Sequence, residues 1–278
     1  MAQIIDGKKI AEDIKAEIAG DIFQNSYTPN LAVILIGSDE ASRLYVSLKK
    51  EAAKIVGVEF HEYLMPDNIP QTEVLKAIDF LNKDESTDAI LVQLPLPTGL
   101  DTDEIISHID PKKDVDGFHP ENIKKLLNNS TDFIPGLPLG IIKLLESTKE
   151  NLTNKKAVII AKSEIFYQPL KKLLNDLEID TQIANPKDKD IEEITRQADI
   201  LVSAVGMPFF VTADMIKEKA IVIDVGTNKV KDYSVGDVDY SAAFTKVSHI
   251  TPVPGGVGPM TVAMLLYNTL ELYKKRNK

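Results

Sequence analysis

The chain of 278 residues has no cysteine, so disulfides and thiolate chemistry are both excluded. It has no excess of basic charge. The formal net charge is −10, which disfavours a nucleic-acid backbone as partner, because binding one requires a concentrated basic surface. An anionic small molecule remains compatible, since a local site can be positive on an acidic protein. No apolar run reaches the length of a membrane span. The N-terminal residues MAQIIDGKKIAEDI carry charges where a secretion signal needs an apolar core, so a cytoplasmic protein without a membrane partner is expected. His61, His108, His119 and His249 lack metal-like spacing with carboxylates, and no glycine-flanked serine marks a nucleophile. Neither a metal nor an acyl-enzyme is expected.

What is present is the balance of a soluble globular protein, 44% hydrophobic and 27% charged, at a length that suits one large or two ordinary domains. The first half alternates helix and strand patterns. Residues 8–20 have helical spacing. LAVILIG (31–37) reads as a strand, and Ser38 or Asp39 can cap the helix after it, where Leu44, Leu48 and Ile55 form an apolar stripe. A strand near 58–64, a helix carrying Val74, Ile78 and Leu81, and the strand AILVQLPLP (89–97) follow. Strands separated by helices imply a parallel sheet covered on both faces.

Residues 119–137 break this rhythm with Pro120, Pro135 and the polar run NNSTD, are followed at once by Pro138, and read as the crossing between domains. A second series has strands at 157–160, 180–184, 199–206 and 220–226, helices beginning near 168, 190 and 212, and a last strand near His249–Thr251 before a C-terminal helix. This half reads as a doubly wound nucleotide-binding domain.

Four constellations bear on chemistry. Tyr45 and Lys49 are four apart and share a helix face beside the Leu44/Leu48 stripe. A lysine in a partly apolar cleft exchanges protons near neutrality; the plainer alternative is a lysine snorkelling at a helix margin. Gln93 is an amide near the carboxyl end of an otherwise apolar strand, where open α/β sheets place ligands, although it can equally satisfy a neighbouring loop. KKDVDGFHP (112–120) places Asp114 and Asp116 on one side of an extended segment. Either carboxylate can accept hydrogen bonds from an amino-pyrimidine edge, or serve ordinary turn chemistry before Gly117. TPVPGGVGPMT (251–261) is the densest glycine-proline run and precedes a helix, as expected of a loop approached closely by a ligand.

One absence is local. VIIAKSEIFYQPLKKLL (158–174) is a strand, a turn and an amphipathic helix, the pattern that carries a dinucleotide pyrophosphate, yet it contains no glycine.

Together, SRLYVSLKK, AILVQLPLP, KKDVDGFHP, AIVIDVGTN and TPVPGGVGPMT, in this order across nearly the whole chain, closely resemble the tetrahydrofolate dehydrogenase/cyclohydrolase family. The resemblance implies two α/β domains with a cleft between them, the second a Rossmann-like doubly wound parallel sheet, with the C-terminal helix returning to the first domain. Residues 1–121 and 262–278 would form the folate-binding catalytic domain, and 122–261 the dinucleotide-binding domain. It implies one-carbon metabolism and purine biosynthesis: 5,10-methylenetetrahydrofolate is oxidised with NADP to the methenyl form, which water opens to 10-formyltetrahydrofolate. Lys49 would be the key catalytic group, Gln93 its tuning partner, Tyr45 the residue that packs on the folate rings, and Asp116 the anchor of the pterin amino edge. Leu94, Pro95, Pro254, Gly255 and Gly256 would line the substrate. Ala161, Lys162, Ser163, Ile165, Gly206, Asp224, Gly226 and Thr227 would meet the cofactor. A homodimer is the expected assembly, and tetrahydrofolate derivatives the expected ligands.

Departures from the family pattern cluster in the cofactor half. Where the pattern reads G-R-S-x-x-V-G-x-P, only Ser163 and Pro169 remain; Ala161 and Tyr167 replace the glycines, and Lys162 replaces the arginine. Lysine lacks arginine's planar fork for a 2′-phosphate. Pro186 stands in place of a phosphate-binding hydroxyl, and Asp188 adds negative charge, which suits a free 2′-hydroxyl and hence NAD. Gly136 and Leu137 replace a Cys-Thr pair. The expectation is a competent cyclohydrolase with a dehydrogenase weakened or altered in cofactor preference. The alternatives are a cyclohydrolase without dehydrogenase activity and a non-catalytic folate-binding protein.

Overall fold

A computed structural model describes residues 2–131 and 133–277. In chain order its elements are β1 (Gln3–Ile4), α1 (Gly7–Asn25), β2 (Asn30–Ile36), α2 (Glu40–Val56), β3 (Glu59–Met65), α3 (Gln71–Lys83), β4 (Ala89–Val92), α4 (Thr102–Ser107) and α5 (Pro120–Leu127). Then come α6 (Gly136–Ser147), β5 (Lys156–Ala161), α7 (Glu164–Asp176), β6 (Asp180–Ala184), α8 (Ile191–Thr195), β7 (Ile200–Ala204) and β8 (Ile221–Asp224). The hairpin β9 (Asn228–Val230) and β10 (Tyr233–Val235), α9 (Tyr240–Ala243), β11 (His249–Ile250) and α10 (Val257–Arg276) complete the chain.

Two compact units result, one of Glu12–Gly136 with Val262–Lys278, the other of Met1–Ala11 with Leu137–Thr261. The first is built on the parallel sheet β3-β2-β4. Strand β2 is buried along its whole length, and its alternation feeds two cores. Leu31, Val33 and Leu35 join Ile18, Ile22, Val46, Ala53, Leu265 and Leu266 on one face. Ala32, Ile34 and Ile36 join Val74, Ile78, Leu81 and Ile105 on the other. The α3 stripe is buried as its spacing predicts, each side chain contributing about 1.5–3 kcal/mol by leaving water.

The second unit holds a parallel six-stranded sheet in the order β1-β11-β8-β7-β5-β6. Winding runs from β5 outward to β6, then reverses through β7, β8 and β11. The doubly wound reading therefore holds, and the switch point lies between the carboxyl ends of β5 and β7, where such sheets receive ligands. Val158, Ile160, Leu201, Val222 and Ile250 form a core on one face with Val211, Met215 and Ala243.

Several expectations shift. The break expected at 121/122 falls inside α5, which His119 caps by accepting from the Glu121 amide at 3.1 Å. Asn122 ties α5 to Pro111 and Asp114, and Asn268 bonds the carbonyls of Val115 and Ile134, so residues 122–136 pack with the three-stranded unit. Residues 2–11 go the other way, because β1 pairs in register with β11, Gln3 beside His249 and Ile4 beside Ile250. The helix expected near 168 starts at Glu164, leaving Pro169 inside it, and the helix near 212 is a single 3-10 turn at Ala213–Met215.

The stripe on α2 is also corrected. Leu44, Leu48 and Ile55 are exposed, and the helix instead buries Ser42, Val46, Ala52, Ala53 and Val56. Small side chains let the helix lie close to β2, and the leucines face away. Asp39 is the cap, its carboxylate accepting from the Ser42 amide at 2.7 Å.

Candidate active site

The correction on α2 relocates Lys49. Positions 42, 46, 49, 53 and 56 form one helical line, so Lys49 lies in the middle of the buried stripe rather than at its margin. Its Nζ donates to Gln93 Oε1 at 2.7 Å. Gln93 is 9% exposed, directly after β4, and its amide is held by the Ile34 carbonyl at 2.9 Å. Its Nε2 donates to the Leu94 carbonyl at 2.6 Å, so the side chain meets both the neighbouring loop and the lysine. Leu94–Pro95 is a cis peptide, and Pro95 is exposed. Tyr45, one turn before Lys49, is also exposed.

The segment 113–115 lies alongside β4, with Ile90 paired to Asp114 in parallel. Asp116, two residues on, lies near enough to Lys49 for their charges to interact. The two aspartates then differ. Asp114 is buried and accepts from the amides of Gly117 at 3.1 Å and His119 at 2.8 Å, and from Asn122 Nδ2 at 2.9 Å. It is the turn carboxylate. Asp116 is half-buried, and none of the described residues donates a hydrogen bond to it.

Electrostatics follow from this geometry. Burial draws the Lys49 ammonium below the ordinary lysine range, opposed by the charge of Asp116. Burial pushes the Asp116 carboxyl up to about 6; the Lys49 charge holds it down, and the Asp114 charge adds to the rise. The unit thus keeps a lysine able to exchange protons beside a carboxylate whose acceptor oxygens stand open to a donor edge.

The other expected residues lie in the six-stranded unit. Gly255 has φ +107°, and its carbonyl accepts from the Lys8 amide at 2.9 Å. A Cβ on Gly256 would stand 2.6 Å from the Pro252 carbonyl oxygen, and one on Gly7 would stand 1.9 Å from the Gly256 oxygen. Close packing onto α1 therefore requires two of these glycines, apart from any ligand. Val253–Pro254 is cis.

At the switch point, β5 ends in the buried Ala161, and Ser163 opens α7 without a side-chain cap bond. The first helical bonds run from Phe166 and Tyr167 back to the Ser163 carbonyl, which leaves the Glu164 and Ile165 amides at the helix mouth. Ser163 and Ile165 are exposed there. Lys162 Nζ reaches only the Val205 carbonyl, at 3.5 Å. Tyr167 turns its hydroxyl to donate to Glu164 Oε1 at 2.9 Å. Asp188 closes its own turn around Pro186, accepting from the Asn185 amide at 2.8 Å. Gly206, after β7, has φ +70° and open space where a Cβ would stand. A free serine hydroxyl, an open helix mouth and a bare glycine backbone at the switch point fit a dinucleotide.

Asp224 is different. Its oxygens accept from the amides of Gly226 at 3.0 Å, Asp237 at 3.0 Å and Val238 at 2.9 Å. Burial pushes its carboxyl up to about 6 against those bonds. Its carboxylate is committed inside the protein, while Thr227 next to it is exposed. The residue that sequence reasoning missed is Asp237, fully buried and bonded to Ser203, Val205, Gly206, Met207 and Asn228. Its one sequence signal is the glycine directly before it, Gly236.

Comparison with known proteins agrees with this geometry. Residues 5–116 match the model of the tetrahydrofolate dehydrogenase/cyclohydrolase catalytic domain, and residues 135–277 match that of the family's NAD(P)-binding domain. The chain is 48% identical over 279 residues to the bifunctional protein FolD of Sulfurihydrogenibium sp., covering 98% of each chain. The crystal structure of the bifunctional enzyme FolD, a methylenetetrahydrofolate dehydrogenase/cyclohydrolase from Campylobacter jejuni, superposes with a TM-score of 0.95 at 41% identity, over 99% of this chain and 100% of that one. The Trypanosoma brucei methylenetetrahydrofolate dehydrogenase-cyclohydrolase, solved with NADP and an inhibitor, superposes with a TM-score of 0.95 at 34% identity, over 100% and 99%.

Proposed function

The chain belongs to the tetrahydrofolate dehydrogenase/cyclohydrolase family, and from that premise we propose that it is an enzyme of folate one-carbon metabolism carrying both reactions. It oxidises 5,10-methylenetetrahydrofolate to the methenyl form and hydrolyses that form to 10-formyltetrahydrofolate. The observation that carries this reading is the Lys49–Gln93 bond of 2.7 Å with Asp116 held nearby and unbonded.

Lys49 assists proton transfer as water attacks the bridge carbon, and its lowered pKa supports that role. Gln93 holds the ammonium in place and, through Leu94, fixes the loop that continues to Pro95. Asp116 anchors the pterin amino edge with its open carboxylate, and Tyr45 packs against the folate rings. The Lys49–Gln93 bond favours a working site over a passive binder, which has no need of a tuned lysine.

NADP, when bound, supplies the hydride acceptor. Ser163 and the amides at the mouth of α7 would hold its phosphates, Gly206 would give it room, and Ala161, Lys162, Ile165, Gly226 and Thr227 would border it. With Glu164 in the first turn and lysine as the one cation of this loop, the dinucleotide half discriminates weakly in favour of a 2′-phosphate, so NAD also serves. Asp224 acts from behind the loop. Large apolar side chains exposed on α2 and β3, Leu44, Leu48, Ile55 and Leu64, support a homodimer through that face. Among the described residues no helix is long and apolar enough to cross a membrane. The charge of −10 argues against a nucleic-acid partner, and we infer a cytoplasmic enzyme without a membrane partner that feeds purine biosynthesis.

The test is direct. Purified protein is assayed for loss of methenyltetrahydrofolate absorbance and for methylenetetrahydrofolate oxidation with NADP and with NAD. Hydrolysis together with saturable hydride transfer is expected; hydrolysis alone returns the monofunctional alternative, and tight folate binding without turnover overturns the enzyme reading.

A further inference from the structure

We propose that Asp237 is the positioning residue of the dinucleotide half, a single carboxylate that sets the backbone presented at the carboxyl ends of β7 and β8. The inference rests on reading the six-stranded unit as dinucleotide-binding.

The geometry is dense. Asp237 Oδ2 accepts from Ser203 Oγ at 3.1 Å, the Val205 amide at 2.7 Å and the Gly206 amide at 3.2 Å. Oδ1 accepts from the Met207 amide at 3.0 Å and Asn228 Nδ2 at 2.9 Å. Five donors converge on two oxygens, and the residue is 0% exposed. Three of the donors are consecutive amides of the chain leaving β7, and a fourth lies at the base of the β9–β10 hairpin. These are the segments that a ligand at the switch point meets. Gly206, with its positive φ and open space beside it, has its own N–H fixed by Asp237.

The aspartate is itself placed by a second carboxylate. Asp224, the last residue of β8, accepts the amides of Asp237 and Val238, and its own amide donates to Thr251 Oγ1 at 2.8 Å. The two glycines beside the pair are required by it. A Cβ on Gly226 would stand 2.3 Å from Asp237 Oδ1, and one on Gly236 would stand 1.8 Å from Asp224 Oδ2. The network therefore runs from Thr251 through Asp224 and Asp237 to Gly206. Both carboxylates are buried and committed to internal donors, so both aspartates act through the backbone they hold.

Only a carboxylate meets this demand. All five partners are donors, and an amide in its place would set an NH₂ group against two or three N–H or O–H groups. Asp237→Asn is thus nearly isosteric yet breaks the network at one oxygen.

The experiment compares wild type, Asp237→Asn, Ser203→Ala and Asn228→Ala in the full chain. Kinetic constants for NADP and NAD in methylenetetrahydrofolate oxidation are measured together with methenyl hydrolysis, melting temperature and amide hydrogen exchange. Asp237→Asn is expected to raise the KM for the dinucleotide at least tenfold, to accelerate exchange at Val205, Gly206 and Met207, and to leave hydrolysis within twofold. Ser203→Ala and Asn228→Ala, which each remove one donor and keep the carboxylate, are expected to raise that KM two- to fivefold with the melting temperature nearly unchanged. They decide the matter if Asp237→Asn does not fold. A lowered melting temperature with unaltered dinucleotide constants overturns the inference alone. Absence of any wild-type reaction with either dinucleotide overturns the reading beneath it, and the inference with it.

Discussion

The two units place carboxylates beside their parallel sheets to opposite effect. In the six-stranded unit, Asp224 and Asp237 are saturated with backbone and side-chain donors and hold loops in shape. In the three-stranded unit, Asp114 does the same work, but two residues on, Asp116 receives no hydrogen bond from any of the described residues and shares its surroundings with a half-buried lysine. A charge kept in protein without partners costs stability, and a fold retains it where a ligand completes it. Satisfied carboxylates mark architecture; the unsatisfied one marks chemistry.

The most severe way to break this contrast is Lys49→Met. Removing a group that moves protons is expected to lower methenyl hydrolysis by about 10²–10⁴-fold. The melting temperature should hold or rise, since position 49 lies in line with Val46 and Ala53; both are read from one preparation by absorbance and thermal unfolding.

Gln93→Leu comes next. It keeps the volume but strips the ammonium of its 2.7 Å acceptor. A hydrogen bond to a charged group is worth about 1.5–3 kcal/mol, so hydrolysis should fall about 10- to 100-fold. A steady-state assay at saturating substrate checks it, and unchanged turnover would detach the amide from the chemistry.

Asp116→Asn sharpens the contrast through stability. The folded carboxyl titrates near 6 against an ordinary value of 3.8. Below 3.8 the group is protonated in both folded and unfolded chains and costs nothing. As pH rises through 6 the folded chain must carry the charge, and stability is lost. The asparagine variant should therefore be more stable than wild type by about 1–2 kcal/mol at pH 7, a value reduced for the partial exposure of the group. The advantage should vanish below about pH 4, with a higher KM for folate throughout. Denaturant titrations at pH 4 and 7 provide the measurement.

The smallest effect belongs to the six-stranded unit. Glu164 adds negative charge to the first turn of α7, and Glu164→Gln should improve KM for NADP relative to NAD by about two- to fivefold, in line with a surface charge near a helix terminus. Initial rates with both dinucleotides test it.

Much of this was legible in the residues alone, for physical reasons. DTQIA forms a strand over its full length, and Val74, Ile78 and Leu81 bury together, because period and composition agree there. Helix α2 misled because it has two apolar faces; the sheet selects the small one, Val46, Ala52 and Ala53, which the larger leucines outweigh in any reading by hydrophobicity. The break at 121/122 misled because a proline that opens a helix at its first position looks like a linker. Gln93 stood out because a polar group on a buried strand pattern needs a partner, whereas Asp116 read equally well as turn chemistry before Gly117 and was singled out by the resemblance. Asp237 did not stand out, since an aspartate after glycine reads as turn chemistry until the amides that follow β7, more than 30 residues earlier, are brought to it.

The contrast between a committed and an open carboxylate is tested most directly by an NMR titration of the Asp116 carboxyl carbon in wild type and in Lys49→Met. The account predicts titration near pH 6 in wild type and a further rise when the lysine charge is removed, since that charge holds the value down. Titration of Asp116 in the ordinary carboxylate range in both proteins, unmoved by the loss of Lys49, would contradict it.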